Sequence, residues 1–391
     1  MSVGAETPLR ISTPPTADRP ETRLATRLAF LVAGFGLACW APLVPFAKER
    51  LQVDDGTLGL LLLCLGLGSI VPMLLAGAIS ARYGSRSVIL TGGFGLALLL
   101  PLLAAAGSPL TLGLTLVGFG AALGSLDVAM NIHAVEVERA AAKPLMSGFH
   151  ALFSVGGFLG ATLITFLLSL DIVPIVSTLL ASALMAIAML LAAPRLLRAS
   201  HMEKAPLIVA PHGIVLLLAV LAAVMFLVEA AILDWSALLV TGKGLVREAH
   251  GGLGYSTFAI AMTAGRFGGD FASARIGDRA ILFWGGLATI AGFALVLEAP
   301  LALLAMSGFL LIGLGASNIV PVLFRGAGAQ RVMPAGLAVA AITIAGYAGN
   351  LVGPALIGFV ARAAGLPVAF WLLAALVGAV VVSARAVTAR A

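Results

Sequence analysis

The chain alternates long apolar stretches with short polar gaps over almost its whole length. The apolar stretches run for about 18 to 29 residues, and a transmembrane helix needs about 20. Membrane β-strands would instead show about ten residues of alternating polarity. The pattern therefore predicts an all-α membrane protein with twelve transmembrane helices. The predicted spans are residues 26–46, 56–80, 88–107, 109–133, 145–169, 171–193, 213–240, 251–273, 280–298, 300–324, 332–360 and 366–383.

A short basic string occurs twice, each time in a gap between two apolar spans. Residues 80–86 read SARYGSR and residues 273–279 read SARIGDR, an offset of 193 in a chain of 391 residues. A glycine-containing string at 156–160 returns at the same offset at 349–353. Repeats of this size indicate two parallel six-helix units, an arrangement typical of transporters. The predicted parts are a proline-rich, disordered cytoplasmic tail at 1–25, an N-terminal half at 26–193, a cytoplasmic linker at 194–212 and a C-terminal half at 213–391.

Composition narrows the class of protein further. The chain is 61% hydrophobic and 10% charged, whereas soluble domains are about 25% charged. Its two cysteines, Cys39 and Cys64, lie in separate apolar spans, which excludes a disulfide framework and a zinc cluster. No phosphate-binding loop or soluble ATPase domain is recognisable, so we expect no enzyme activity, no metal and no cofactor. Energy for any transport would come from a gradient.

The basic residues predict the orientation in the membrane. Of the 23 Lys and Arg residues, 17 fall on the side that carries both termini and 5 on the other, with Arg266 inside a span. By the positive-inside rule both termini are cytoplasmic. We therefore predict a multi-pass protein of the cytoplasmic (inner) membrane. Because the charges are dispersed in short loops, the net charge of +6 does not indicate a nucleic-acid partner.

Six ionisable residues fall inside predicted spans, where a charge costs at least about 2.5–3.5 kcal/mol. Each therefore needs a partner, water or a function. Burial favours the neutral form of a carboxyl group, so a buried acid can exchange a proton near neutral pH. Asp127 shares one face of its helix with Gly120, Gly124 and Asn131, and we predict it as the proton-coupling residue; the alternative is a static hydrogen bond between helices. The other candidates are Glu229 and His150 for proton coupling and Arg266, Asp270 and Asp234 for a charge network.

Two of these residues allow specific contacts to be predicted. His150 follows the loop after the fourth span, so Asp127 and His150 are expected at similar depth and in contact. His150 could instead bond to a backbone carbonyl. Arg266 lies one turn before Asp270, which allows an intrahelical pair. Asp234 is interpreted as a rim group or cap. Glu136 and Glu138 are interpreted as loop contacts.

The repeated string belongs to a longer pattern. Gly77, Arg82, Gly84 and Arg86 match a loop of roughly G-x-x-x-D-R-x-G-R-R, with Ala81 in place of the Asp. This loop is the signature of the major facilitator superfamily, and the chain after the tail resembles a transporter of that family. The resemblance implies two six-helix halves around a central cavity and a cytoplasmic gate formed by these loops. The second copy of the loop keeps Arg275, Gly277 and Arg279.

Within that superfamily the strings DVAMN at 127–131 and GRFGGD at 265–270 are similar to a branch near the fucose permeases. The resemblance links an acid at this place in the fourth helix to proton coupling. In the superfamily the fifth and eighth helices face each other across the halves. Arg266 could therefore link the halves at the layer of Asp127 and His150, as the alternative to its pair with Asp270.

These features together predict a secondary active transporter that works by alternating access. The branch favours proton-coupled symport of a small polar or sugar-like solute, and the Gly-Pro motif of drug antiporters is absent from the fifth span. The alternatives are proton-driven efflux of amphipathic compounds and a transporter-like sensor without flux. Expected partners are the solute, the proton and the lipid bilayer, and we expect a monomer. The predicted cavity residues are Asn131, Trp40, Trp235, Asn318 and Asn350, with interfacial anchoring as the alternative for both tryptophans.

Overall fold

The structure, a computed structural model, describes residues 19–53, 55–197, 210–246 and 253–388. In these ranges the chain is helical apart from short connections. The helices are α1 (Pro20–Trp40), α2 (Val44–Leu51), α3 (Asp55–Tyr83), α4 (Ser85–Ala105), α5 (Pro109–Ala141), α6 (Met146–Ser169), α7 (Pro174–Ala192), α8 (Ile214–Gly242), α9 (Leu253–Ile276), α10 (Asp278–Glu298), α11 (Ala302–Ala316), α12 (Ile319–Ala329), α13 (Ala335–Ala364) and α14 (Leu366–Thr388), with 3-10 turns at Ala41–Leu43 and Ala193–Arg195.

In the described part of the chain, eleven helical segments are long and apolar enough to cross a membrane. They confirm the prediction of an all-α membrane protein. The eighth predicted span, α9, has 24 residues but is not among the eleven. Arg266, Asp270 and Arg275 make it more polar than the others. It packs against α6, α8 and α11, and its buried face, which includes Arg266, lies against protein.

The two halves repeat the same backbone geometry at the repeated string. Gly84 has a φ of 82° and Gly277 a φ of 81°, in the left-handed region that favours glycine. The Gly84 amide donates to the Ser80 carbonyl at 2.8 Å, and the Gly277 amide donates to the Ser273 carbonyl at 3.0 Å. Each glycine separates two long helices, so the sequence repeat is a repeat of structure.

A second pair of equivalent residues closes helix ends on the opposite side of the bundle. Arg50 donates to the carbonyls of Ala104 at 2.6 Å and Ala106 at 2.9 Å, at the end of α4. Lys243 stands 193 residues later and donates to the carbonyls of Val296 and Leu297, at the end of α10. Cations stabilise helix C-termini because the last carbonyls lack helical partners. Both cations therefore fasten two helices within one half.

Two helices extend well past their predicted boundaries. α1 begins at Pro20, inside the predicted tail, because proline suits the first helical position and Glu21 favours the first turn. Residues 1–18 of that tail and 198–209 of the predicted linker lie outside the described residues. α5 continues to Ala141, eight residues past the predicted end of its span.

The tenth predicted span is broken rather than continuous. α11 ends at Ala316 and α12 begins at Ile319, with Ser317 and Asn318 between them. Pro321 explains the break, because proline has no amide hydrogen to donate to the carbonyl four residues earlier and its ring clashes with that carbonyl. The break places the Asn318 side chain beside α9.

The halves meet through two sets of helices. α13 of the C-terminal half packs against α3 and α5, and α9 and α12 of the C-terminal half pack against α6. We name the end of the bundle with the loops at Gly84, residues 142–145 and Gly277 the basic side. It corresponds to the side that the charge distribution assigns to the cytoplasm.

Candidate functional site

Asp127 lies near the middle of α5 and is 9% exposed. The Asn131 side-chain amide, one turn on, donates to the Asp127 carboxylate at 3.2 Å and to the Asp127 carbonyl at 2.9 Å. The Tyr347 hydroxyl of α13 also interacts with the carboxyl group. Since α5 and α13 belong to different halves, a single acid contributes to the contact between them.

Glycines determine how α5 is placed. A Cβ atom on Gly120 would lie 1.9 Å from the Leu65 carbonyl oxygen, and one on Gly124 would lie 2.9 Å from the Ser69 side chain. Only glycine allows α5 to pack this closely on α3. The predicted polar face of α5 therefore has two parts. Its glycines, Gly120 and Gly124, contact α3, and its acid, Asp127, interacts with α13.

His150 does not lie at the depth of Asp127. Asp127 precedes the end of α5 by 14 residues, or about 21 Å, whereas His150 follows the start of α6 by four residues, or about 6 Å. The prediction of similar depth is wrong because α5 continues past His133. The His150 ring lies between Phe30 and Phe324, with centroids 5.2 Å and 5.5 Å away.

Arg266 pairs with neither of the residues predicted for it. Its guanidinium lies 3.3 Å from the Glu229 carboxylate of α8 and donates to the Ser154 hydroxyl of α6 at 2.8 Å. Among the described residues no pair joins it to Asp270. The Ser154 contact crosses between the halves, so the predicted cross-half link exists, through a serine rather than through Asp127. Asp234 lies further along α8 and is exposed.

Asp270 instead caps the first turn of α6 from the other half. Its carboxylate accepts the amide hydrogens of Ser147 at 2.9 Å and Gly148 at 2.7 Å. Glu138 accepts the preceding two amides, those of Leu145 and Met146, at 2.6 Å and 2.7 Å. Amides at a helix start lack helical acceptors and favour negative charge. Four consecutive amides are therefore satisfied by two acids, one from each half.

Arg325 of α12 joins these acids into one cluster. Its guanidinium lies 2.7 Å from the Glu138 carboxylate and 3.9 Å from that of Asp270, and it also pairs with Asp278 and Ser273. Sequence reasoning missed Arg325 and treated Glu138 as a loop contact. The one available signal was a cation directly after the apolar run that ends at Phe324.

The predicted gate loops have separate roles. Gly77 lies against α13, where a Cβ atom would approach Ala340 to 3.0 Å and the Gly336 oxygen to 3.2 Å. Arg86 donates to the Ala193 carbonyl at 2.8 Å, inside its own half. The exposed guanidinium carbons of Arg82 and Arg275 lie 5.3 Å and 5.5 Å from the ring centres of Tyr83 and Phe271. Gly84 and Gly277 form the turns, and Arg279 is exposed.

Several predicted cavity residues carry buried polar atoms. Asn318 donates to the Gly265 carbonyl at 2.9 Å, while Asn350 is exposed. Eight buried side-chain atoms lack a hydrogen-bond partner within the described part of the chain. Two are the hydroxyl oxygens of Ser182 and Ser236, and the other six belong to Trp, Arg, Asn and His side chains. These six are Trp40 Nε1, Asn131 Oδ1, His150 Nε2, Trp235 Nε1, Arg266 Nε and Asn318 Oδ1.

These six atoms come from both halves, and a buried polar group without a partner costs about 1–3 kcal/mol. Such groups can be satisfied by a polar ligand or by water. Among the described residues, no group of three or more His, Cys, Asp or Glu side chains is placed to hold a metal ion.

Comparison with known proteins gives consistent matches. The profile of the Major Facilitator Superfamily matches residues 27–335. An uncharacterised MFS-type transporter from Yersinia pestis is 48% identical over 94% of this chain and 96% of its own length. Membrane protein MosC of Rhizobium meliloti is 31% identical over 88% of this chain and 85% of its own.

Two crystal structures share the fold. The fucose:proton symporter FucP of E. coli has a TM-score of 0.76 at 17% identity, over 95% of this chain and 99% of its own. The human organic anion transporter MFSD10 has a TM-score of 0.72 at 16% identity, over 95% of this chain and all of its own. At these identities the likeness concerns the fold.

Proposed function

Because the chain belongs to the Major Facilitator Superfamily, we propose that this secondary transporter is a symporter that couples proton entry to the uptake of a small polar or sugar-like solute. The observation that carries the proposal is the position of Asp127. It is buried at mid-depth in one half, and its carboxyl interacts with Tyr347 of the other. A proton on this group changes a contact between the halves.

The coupling step follows from the strength of hydrogen bonds to charged groups. An ionised carboxylate accepts a stronger hydrogen bond than a neutral acid does. Protonation of Asp127 therefore weakens its bond with Tyr347 and favours separation of α5 from α13. The equilibrium between the two access states then depends on the proton, and a solute that prefers one state shifts it further.

The solute class is inferred from the buried polar atoms. Trp40, Trp235 and Arg266 offer hydrogen-bond donors, while Asn131 and Asn318 offer acceptors. A polar, multiply hydroxylated solute has both kinds of partner for such groups, whereas an amphipathic compound would leave them unpaired. The fucose:proton symporter that shares the fold is compatible with this inference.

The observed state has the halves joined on the basic side. Arg325 with Glu138, and Asp270 with the start of α6, both cross between the halves there. If both termini face the cytoplasm of the inner membrane, as the charge distribution predicts, this state is closed to the cytoplasm. Solute and proton would then enter from the outside.

The test is transport by the full-length protein in proteoliposomes containing a pH-sensitive dye, screened with sugars and polyols. We expect the correct solute to acidify the lumen when added outside. Asp127→Asn should abolish this pH change while solute exchange across the membrane continues. Asp234→Asn, at an exposed acid, is the matched control and should behave as the unmodified protein.

Three other outcomes would contradict the proposal. Alkalinisation of the lumen would favour proton-driven efflux. Binding of a solute with no flux in any condition would favour a sensor. Proton movement that survives in Asp127→Asn but fails in Glu229→Gln would move the coupling site to the Arg266 pair.

A further inference from the structure

A groove runs along the outer surface of the N-terminal half, between α3, α4 and α5. It encloses roughly 550 Å³, within the range of about 300–1,000 Å³ of small-molecule sites. Of the residues that line it, Ile79, Tyr83 and Thr91 are exposed, and all its lining residues belong to the N-terminal half, so the groove opens toward the lipid and not toward the other half. Its lining includes Tyr83, Thr91, Gly92, Gly95, Ala122 and Ser125.

Glycines form the floor of the groove. A Cβ atom on Gly92 would lie 2.7 Å from the Ala122 carbonyl oxygen, and one on Gly95 would lie 3.0 Å from the Ala122 side chain. α4 and α5 therefore touch through backbone, and no large side chain fills the space above them. The Ser87 hydroxyl donates to the Tyr83 carbonyl at the end of α3, and the Ser125 hydroxyl donates to the Ala121 carbonyl of its own helix. Both hydroxyls are therefore satisfied by backbone, and the groove presents a largely apolar surface.

The mouth of the groove is cationic. Tyr83 and Ser87 lie at the basic side, and Gly95 lies eight residues further along α4, about 12 Å deeper. The exposed Arg82 guanidinium lies 5.3 Å from the Tyr83 ring centre. Among the described residues no acid pairs with Arg82. A cation at the membrane surface above an apolar channel complements a lipid headgroup that carries negative charge.

We propose that this groove binds an anionic phospholipid of the surrounding bilayer, with one acyl chain along the glycine floor and the phosphate group at Arg82. The depth and apolar lining of the groove fit an acyl chain, and the exposed guanidinium of Arg82 fits the phosphate. The site lies on the outer wall of one half, apart from Asp127, Arg266 and the interface between the halves.

The C-terminal half provides an internal comparison. Gly285 and Gly315 stand 193 residues after Gly92 and Ala122, and a Cβ atom on Gly285 would lie 2.6 Å from the Gly315 oxygen. The helix approach is therefore repeated. At the position of Thr91, however, the second half has Trp284, a side chain large enough to fill the groove. Arg275 is the equivalent of Arg82.

The experiment measures lipid binding to the full-length protein in detergent by native mass spectrometry. Phosphatidylglycerol and phosphatidylcholine with identical acyl chains are the probes. We expect phosphatidylglycerol to bind about five-fold more tightly, the value for about 1 kcal/mol per basic residue at a membrane surface. Arg82→Gln should remove this preference, and Arg275→Gln should leave it intact.

Thr91→Trp copies the residue of the second half onto an exposed position and should weaken binding of both lipids about ten-fold. Ser87→Trp, at the exposed mouth, should do the same and provides a second obstruction if Thr91→Trp lowers the melting temperature. The proposal is overturned if the unmodified protein binds the two lipids equally or if neither tryptophan substitution weakens binding. It is also overturned if Arg275→Gln loses the preference for phosphatidylglycerol as fully as Arg82→Gln does.

Discussion

At one interface between the halves, which we name the uncharged interface, α13 packs against α3 and α5 mainly through small groups such as Gly77 and Ala340, and Asp127 is its one acid among the residues described above. At the other, α6 packs against α9 and α12 through charge, with Asp270 on the amide of Ser147. The two contacts are equivalent in the repeat, because Asp270 follows Gly77 by 193 residues and Ala340 follows Ser147 by the same number. The equivalent residues Gly77 and Asp270 thus make a close backbone contact in one interface and a helix cap in the other.

The same offset relates Ser154 to Tyr347. Ser154 accepts from Arg266 at the charged interface, and Tyr347 interacts with Asp127 at the uncharged one. In the charged interface Glu138 and Asp270 each accept several hydrogen bonds, so one proton changes only a small part of the interaction energy between the halves. In the uncharged interface Asp127 is the acid on which the contact depends. This difference is why we propose that the cluster of Arg325, Glu138 and Asp270, here named the latch, holds the charged interface closed, and that Asp127 responds to the proton at the uncharged interface.

Arg325→Gln should give the largest change, because Arg325 contacts Glu138, Asp270 and Asp278. Removing one partner of a buried ion pair costs about 3–5 kcal/mol. We expect the basic side to open, measured as a longer distance between spin labels at residues 143 and 331. Arg279→Gln, at an exposed arginine in the first turn of α10, should leave the distance unchanged. An unchanged distance in Arg325→Gln would remove the latch from the charged interface.

Tyr347→Phe should come next, since it removes the hydroxyl that interacts with the Asp127 carboxyl group across the two halves. In the unmodified protein we expect the basic side to open as the pH falls, because protonated Asp127 bonds Tyr347 more weakly. Without the hydroxyl this pH dependence should flatten in the same spin-label measurement. Tyr255→Phe, at the start of α9 away from α5, is the matched control. An identical pH profile in Tyr347→Phe would show that the proton acts elsewhere.

Asp270→Ala should lower stability by about 1 kcal/mol, the usual effect of losing a helix cap. Asp270→Asn keeps an acceptor and should lose less, roughly 0.3–1 kcal/mol for the charge near the helix start. Thermal melting of both variants in detergent measures the difference. Equal melting temperatures for the two variants would mean that the charge of Asp270 has no role beyond accepting hydrogen bonds.

Ser154→Ala should give the smallest effect, below about 1 kcal/mol, because Arg266 keeps its pair with Glu229. Transport should persist with a modest change in rate. Arg266→Ala leaves Glu229 without its cation and should reduce transport strongly. If Arg266→Ala transports normally, the cross-half link at the charged interface has no part in the cycle.

The sequence was sufficient for the fold because long apolar spans and a repeat at a fixed offset both leave direct signals. It also located Asp127, Asn131 and Arg266 as buried polar groups. It could not locate their partners. Tyr347 and Ser154 belong to other helices, and their approach depends on how the halves dock.

Boundaries were the second source of error. Glu136, Glu138 and Arg139 end the apolar run in the fourth span, so hydropathy placed the helix end near His133. The helix continues because Val135 and Val137 are buried and because Glu138 caps α6. Because α5 is eight residues longer than predicted, Asp127 lies at mid-depth and not at the level of His150. A polar residue can thus end a hydrophobic pattern without ending a helix.

The contacts that Arg50 and Lys243 make with helix C-termini affect the stiffness of each half. Each ties the far end of one helix to the last carbonyls of another in the same half, on the side away from Arg325. A half whose helices are joined in this way resists internal bending. If each half rotates as a rigid body, a small displacement near the middle of the membrane produces a larger displacement of the helix ends at the membrane surface.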